Sequence, residues 1–174
     1  MRVWGVICER RAMHDPSPSP FEPVVLRPVG VVRGGRREAE DDGWDAETCR
    51  IELDPERFEA AALTGLDAFS HVEIVYHFHL VDEADVIAGA RRPRGRADWP
   101  EVGIFAQRGR VRPNRLGVSV ARLVGVTDTV LTVRGLDAID GTPVLDVKPV
   151  LSGFLPRQDV VEPAWASEIM AAYW

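Results

Sequence analysis

The sequence predicts a mainly β fold, an antiparallel β-barrel with one or two short flanking helices. Short runs rich in β-branched residues follow one another, and glycine or aspartate turns separate most of them. The chain lacks both the alternation of strands with helices and the strand–GxGxxG–helix unit of a Rossmann-type cofactor site. The predicted strands are Val24–Val32, Thr48–Leu53, His71–Leu80, Gly103–Arg108, Leu116–Val126, Thr129–Leu136 and Pro143–Leu151.

One helix has clear boundary signals. Asp54 is a suitable N-cap, Pro55 occupies the first helical position, and Gly65 follows as a stop. The segment 56–63 between them is rich in helix-forming residues. We expect a second helix from Pro163 towards the C-terminus.

Length and composition indicate one globular domain. With 174 residues and 45% hydrophobic content, the chain can bury a substantial core. The first 22 residues are predicted to be a flexible extension, because Asp15 to Pro20 alternates proline and serine; residues 23–174 then form the barrel domain. No apolar run approaches the ~18 residues that span a bilayer. Cys8 and Cys49 lack metal-site spacing, which predicts buried thiols in a cytoplasmic protein.

The charge of the chain is unevenly distributed. The net charge is −6, yet the stretch from Arg91 to Arg115 contains eight arginines against only two acids, Asp98 and Glu101. An acidic body with one basic segment is typical of a protein that contacts a polyanion at a single place. The alternative interpretation is a solvated arginine-rich loop. Lys148 is the only lysine among 21 basic residues, so that position is a candidate for a specific ammonium group.

The predicted strand His71–Leu80 alternates between two faces. Val72, Ile74, Tyr76, Phe78 and Leu80 share the apolar face, which we assign to the core. On the other face, His77 and His79 could hold a metal together with Glu73. The sequence offers no third firm ligand beside the two histidines. We therefore predict no metal site and expect these histidines to line a pocket or an interface.

Two further segments present groups suited to a nucleotide. The stretch 103–120 combines a glycine- and arginine-rich turn with Arg112-Pro113-Asn114, which offers backbone amides and guanidiniums to phosphate. The stretch 136–148 contains Asp137, Asp140, Asp146 and Lys148 close to two strand ends. A structural ion pair beside a tight Asp-Gly turn would also explain the second segment.

The strings FSHVEIVYHFH, GIFAQRGRVRPNRLG and LDAIDGTPVLDVKP occur in this order and resemble the TsaA-like (TrmO-type) family. Its best-known members methylate N6-threonylcarbamoyladenosine in tRNA. The resemblance extends from about Arg27 to Leu155 and implies a dimeric β-barrel that binds S-adenosylmethionine. Matched motif by motif, the implied cofactor contacts are His79, Leu80, Arg108, Val118, Gly135, Leu136 and Asp137.

Two departures from the family pattern affect this assignment. The Pro-Arg-Gln segment of tRNA-modifying members is replaced by Asp42-Gly43-Trp44-Asp45, where Trp44 would stack on an adenine. Familiar members read RPNPIG where this chain has Arg115 and Leu116, and we expect the arginine to add charge and to loosen the loop.

The resemblance also suggests roles in methyl transfer, which depends on holding donor and acceptor in line. The N6 nitrogen of a threonylcarbamoyl adenine is a weak nucleophile, because the carbamoyl group withdraws its electrons. Asp146 and Lys148 are the candidates to accept its proton or to polarise the carbamoyl, and Asn114 is the candidate to orient the base. The residues predicted to contact threonine-accepting tRNA are Arg91, Arg92, Arg94, Arg96 and Arg112.

Three alternatives remain at this point. A methyltransferase on the same barrel could act on a small molecule, which suits the acidic body and the missing Pro-Arg-Gln segment. A non-catalytic module could bind S-adenosylmethionine or RNA without turnover. A metal-dependent hydrolase could use the histidine strand.

Overall fold

A computed structural model describes residues 22–174 of the chain. Its centre is a closed antiparallel barrel of six strands, which confirms the predicted fold class. The strands run in the order β1-β2-β7-β6-β3-β8 around the barrel. Their bounds are β1 Gly30–Arg33, β2 Thr48–Leu53, β3 His71–His77, β6 Leu116–Thr127, β7 Val130–Arg134 and β8 Pro143–Pro149.

Three smaller elements lie outside the barrel. Two short strands, β4 Ala90–Arg91 and β5 Val102–Gly103, pair with each other inside the basic segment. One α-helix, α1 Ala164–Met170, follows the barrel and confirms the second predicted helix. No helix among residues 22–174 combines the length and the apolar character needed to cross a membrane.

The barrel interior is built by strand alternation. On β3, Val72, Ile74 and Tyr76 are buried, while the residues between them lie on the outer face. Side chains at 32, 51, 131, 133 and 144 complete a core of fully buried side chains. Cys49 belongs to this core as predicted, and its burial raises the pKa of the thiol to about 11, so the thiol stays protonated at neutral pH.

Four predicted elements were wrong in extent or type. The strand predicted from His71 to Leu80 ends at His77, because the Phe78 carbonyl accepts the N–H of Val81 in a turn, and this leaves Leu80 exposed. The first strand begins at Gly30 rather than Val24, because residues 24–28 are exposed and pair with no strand. The expected strand 103–108 ends at Gly103, where a 3-10 turn over Ile104–Ala106 begins. The expected helix 56–63 is only a 3-10 turn over Ala60–Leu63, because Asp54 accepts three backbone N–H groups in a local turn that does not propagate.

The predicted division of the chain into an extension, 1–22, and a domain, 23–174, is not tested, because almost all of the extension lies outside the described residues. Residues 1–21, including Cys8 and the proline-serine run, are outside the described residues. The flexible extension therefore stays a prediction.

Loops that contain predicted cofactor residues meet at one end of the barrel. Here β1, β3 and β7 finish while β2, β6 and β8 begin, as their antiparallel pairing requires. We call this the site end. The loops that meet at it contain most of the predicted cofactor residues.

Candidate active site at one end of the barrel

The centre of the site end is the carboxylate of Asp137. It follows β7 through Gly135, which has a φ of 76° and donates its N–H to the Glu47 carbonyl at 2.9 Å. This left-handed turn, which glycine adopts without strain, brings the next residues over the end of the barrel. Leu136 packs into the core with 1% of its surface exposed, and Asp137 is half-buried.

Two hydroxyl groups from inside the barrel hold one oxygen of this carboxylate. Tyr76 on β3 donates to Oδ1 of Asp137 at 2.8 Å, and Ser119 on β6 donates to the same oxygen. Burial, and secondly the charge of Asp137, raises the pKa of Tyr76 far above its ordinary value, so the phenol remains a donor. The Oδ1 atom therefore accepts two hydrogen bonds from side chains that the strands fix.

The third donor comes from the far end of the chain. The Tyr173 hydroxyl, three residues after α1, donates to Oδ2 of Asp137. Neither Tyr76, Ser119 nor Tyr173 was among the predicted site residues. For Tyr76 the strand pattern indicated only a core position, and for Tyr173 the one available signal was an aromatic pair closing the sequence.

The loop of residues 112–115, here called the arginine–asparagine loop, lies at the site end and has left-handed backbone at two residues. Asn114 has a φ of 62° and Arg115 a φ of 50°. The Arg115 carbonyl accepts the N–H of Phe78 at 2.8 Å, and its guanidinium donates to the Val81 carbonyl at 2.6 Å. The expectation that this arginine loosens the loop was therefore wrong: it ties the loop to the turn after β3. Proline could not occupy this position, since its ring fixes φ near −65°.

Histidines 77 and 79 lie beside this loop. Partial burial, followed by the positive charge of Arg115, lowers the pKa of His77 below its ordinary value. The imidazole is therefore neutral at neutral pH and able to accept a hydrogen bond. A Cβ at Gly141 would lie 3.7 Å from Nε2 of His79, so this histidine reaches the loop before β8. Among residues 22–174, no group of three or more His, Cys, Asp and Glu side chains is placed to hold a metal.

Other predicted cofactor residues differ in how they are placed. Arg108 donates to the Val118 carbonyl, so these two predicted residues lie together. Leu80 lies beyond the end of β3 with 72% of its surface exposed, so it is available to a ligand but is not in the core. Trp44 is buried at 4% exposure, and the Arg36 guanidinium lies 4.6 Å from the centre of its ring. Stacking of Trp44 on an adenine would require Arg36 to move.

The predicted catalytic pair is on the outer face of the barrel. Asp146 and Lys148 share one face of β8 and form an ion pair, with about half of each side chain exposed. On the neighbouring β3 they pair with Val75 and Glu73. The pair is thus separate from the hydroxyl cluster around Asp137, which faces the barrel interior.

The predicted tRNA-binding arginines all have partners within the chain. Arg94 makes two hydrogen bonds to the Asp42 carboxylate, at 3.0 and 2.6 Å, and also approaches Asp41. Arg96 pairs with Asp98 and lies over the Trp99 ring. Backbone carbonyls accept from the other three guanidiniums, those of Arg91, Arg92 and Arg112. The basic segment therefore presents fewer free cations than its sequence suggests.

A surface depression lies away from the site end. It has a volume of about 430 Å³ and lies at the opposite end of the barrel, beside the start of β1 and the end of β2. Its lining mixes Arg27 and Arg33 with Glu52 and Asp54, which already pair with one another. The clustered polar groups of the site end make it the better candidate.

Comparison with known proteins identifies the family of this chain. The model of the tRNA-methyltransferase O N-terminal domain family matches residues 40–155, which is two thirds of the chain. The chain belongs to this family. Asp137, Tyr76 and Ser119 lie inside the matched region, whereas Tyr173 lies beyond it.

Individual relatives are similar over different lengths. A probable S-adenosyl-L-methionine-binding protein of Pyrococcus abyssi is 32% identical over 79% of this chain and 73% of its own. The tRNA (adenine(37)-N6)-methyltransferase of Escherichia coli is 38% identical over 66% of this chain and 48% of its own. A crystal structure of TrmO superposes with a TM-score of 0.68 at 31% identity, covering 81% of this chain and 64% of that one. The chain thus spans only about half the length of the Escherichia coli enzyme.

Proposed function

We propose that this protein is an S-adenosylmethionine-dependent methyltransferase that acts on N6 of threonylcarbamoyladenosine beside the anticodon of tRNA. The observation that supports it most is the Asp137 carboxylate, held at the site end by three hydroxyl groups. A fixed anion is a suitable partner for a ligand that has ribose hydroxyls and a positively charged sulfur. The names of the relatives point to the same donor and the same acceptor.

The residues at the site end fit this donor. When bound, S-adenosylmethionine would supply a methyl group on a positively charged sulfur. Asp137 would accept hydrogen bonds or balance the positive charge, and the exposed Leu80 would offer apolar surface. Arg108, already placed against Val118, would fix a backbone carbonyl at the rim.

The acceptor needs a group that handles a proton. As the new N–C bond forms, the bond between the methyl carbon and the donor sulfur would break, which leaves a neutral thioether, and the N6 nitrogen loses its proton. We propose Asp146 as the group that takes this proton and Lys148 as the group that polarises the carbamoyl oxygen, while Asn114 orients the base. The exposure of the Asp146–Lys148 pair leaves it accessible to a large substrate.

Lys148→Met tests this part of the proposal. We expect turnover to fall at least tenfold while the affinity for S-adenosylmethionine changes less than twofold, since the lysine lies away from Asp137. The measurements are single-turnover methylation and calorimetry. Arg122→Met, an exposed cation on β6, which lies beyond β3 in the barrel, is the matched control and should retain turnover. An equal loss of turnover and of affinity would make Lys148 a binding residue.

The basic segment is the proposed tRNA contact. Because Arg94 is committed to Asp42, we expect the exposed Arg96 and the partly exposed Arg91 to contact phosphates. Replacing both with Gln should weaken tRNA binding and reduce the salt slope of log K by about 1 to 2, because each phosphate contact contributes roughly 0.7–0.9. Arg27→Gln, at the opposite end of the barrel, is the control. An unchanged slope would exclude these two arginines from the interface.

One experiment decides the proposed function. The purified protein is incubated with labelled methyl donor and total tRNA from a strain that lacks this gene. Label in threonine-accepting tRNA would support the proposal. Label found only in small metabolites would favour a small-molecule acceptor, a second candidate that the internal pairing of Arg94 and Arg96 favours. Donor binding without any transfer would indicate a non-catalytic module.

We also propose that the protein acts in the cytoplasm as a homodimer. Support for pairing comes from β6, where Val118, Val120 and Val124 expose 37%, 44% and 57% of their surfaces on the outer face of the barrel. Exposed apolar rows of this kind are common at interfaces between subunits. Sedimentation equilibrium should give twice the mass of one chain, and a monomer at all concentrations would exclude the dimer.

A further inference from the structure

The segment that follows the matched family region returns to the site end. It is attached there by three sets of contacts. Glu168 on α1 accepts the indole N–H of Trp99 at 2.7 Å. The carbonyls of Ala172 and Tyr173 accept the N–H groups of Gly43 and Trp44, both at 2.9 Å. The third contact is the hydrogen bond from the Tyr173 hydroxyl to Asp137.

The surroundings of Tyr173 keep its hydroxyl a donor. Burial, and next the negative charge of Asp137, raises the pKa of this phenol far above its ordinary value. The positive charges of Arg108 and Arg94 act on it in the opposite direction but do not reverse the shift. The hydroxyl therefore stays protonated at any physiological pH and donates to the carboxylate.

The two oxygens of Asp137 are used unequally. Each carboxylate oxygen has two lone pairs. Oδ1 accepts from Tyr76 and Ser119, so both of its lone pairs are used. Within residues 22–174, Oδ2 accepts only from Tyr173, which leaves one lone pair for a ligand. A ligand hydroxyl or a cationic centre would thus meet Asp137 at the oxygen that Tyr173 holds.

We propose that Tyr173 is a positioning residue of the donor site, which fixes Oδ2 of Asp137 in the orientation that receives the methyl donor. This inference rests on the proposed function, since it assumes that Asp137 meets S-adenosylmethionine. It gives the C-terminal segment a role in binding, although the family model ends at residue 155. Tyr173 acts through Asp137 and need not touch the donor itself.

Tyr173→Phe is the first test. It keeps the aromatic ring and its edge contact with Trp174, whose ring centre lies 4.9 Å away, and removes only the hydroxyl. We expect the dissociation constant for S-adenosylmethionine to rise roughly fivefold to tenfold, less than for the loss of a direct hydrogen bond to a charged group, because Tyr173 acts through Asp137. Ser167→Ala is the matched control, because that hydroxyl donates to Glu162 at the surface and not to Asp137. It should bind as the wild type does.

A double-mutant cycle separates positioning from a merely structural effect. Calorimetry is run on the wild type, Tyr173→Phe, Asp137→Asn and the double variant. If Tyr173 acts through Asp137, removing its hydroxyl should change the affinity less than twofold in the Asp137→Asn background. A structural role would lower the melting temperature and leave the affinity unchanged in both backgrounds.

The outcomes distinguish this inference from the proposed function. Wild-type affinity in Tyr173→Phe, or tighter binding, would overturn the role of Tyr173 while leaving Asp137 as the donor site. No binding by the wild type, or no effect of Asp137→Asn, would overturn both. If Tyr173→Phe does not fold, Glu168→Ala detaches α1 from Trp99 without altering the site, and it should weaken binding. Glu168→Gln, which can still accept from the indole, should restore the affinity.

Discussion

Gly117→Ala is expected to destabilise the protein by about 3 kcal/mol and to abolish donor binding. A Cβ at Gly117 would lie 2.3 Å from Cε2 and 2.4 Å from Cζ of Tyr76. That ring is 1% exposed and cannot move aside in a packed core, where overpacking costs ~1–3 kcal/mol. Any displacement would also break the Tyr76–Asp137 hydrogen bond, a further ~1–3 kcal/mol. Urea unfolding and calorimetry measure the two effects.

Gly125→Ala is the control for this substitution. It lies on the same strand, and a Cβ there would meet no atom within 4 Å, so stability should change by less than about 0.5 kcal/mol. Tyr76→Leu supplies a second check, because the smaller side chain makes room for the new methyl group. Gly117→Ala should then cost less in the Tyr76→Leu background than alone. Equal costs in the two backgrounds would mean that the ring does not cause the destabilisation.

Asp137→Asn is expected to weaken S-adenosylmethionine binding about a hundredfold. The amide removes the negative charge that faces the donor, and its nitrogen cannot accept a hydroxyl hydrogen bond, so at least one donor among Tyr76, Ser119 and Tyr173 loses its partner. Loss of a charged hydrogen bond, roughly 1.5–3 kcal/mol, corresponds to a factor of about 10 to 150. Calorimetry gives the affinity, and thermal unfolding gives the accompanying loss of stability.

Asp45→Asn is the matched control for the charge change. Asp45 also lies at the site end, 3.8 Å from the position of a Cβ at Gly135, but it is largely exposed and pairs with Arg134. Surface ion pairs contribute little, so this variant should bind the donor normally. Equal losses in the two variants would point to general electrostatics rather than to a site at Asp137.

Local pattern was sufficient to predict the barrel but not its connections. The alternation from His71 to His77 and the turns around Asp128 and Gly141 are local, and these strands formed as expected. The segments 56–63 and 103–108 have suitable composition, yet backbone and side-chain hydrogen bonds close them into turns. In the second segment, the Gln107 amide donates to the carbonyls of Arg91 and Val102, and this favours a compact loop over a strand.

The site was predictable only in part, for a related reason. The family motif supplied Asp137, but its three donors lie 61, 18 and 36 residues away in sequence. They meet because of strand register and because the C-terminal segment folds back. Neither of these features produces a periodic pattern in the sequence. The number of free cations in the basic segment was overestimated for the same reason. The acids that neutralise Arg94 lie 52 and 53 residues earlier in the sequence.

The left-handed backbone at Asn114 and Arg115 has a consequence for comparing and engineering members of this family. Arg115 stands where the motif that this loop resembles has proline, and proline could not adopt the φ of 50° that Arg115 has here. A proline at this position would therefore shift the carbonyl that accepts the N–H of Phe78, whereas exchanging the whole loop together with the turn after β3 would preserve a self-consistent unit.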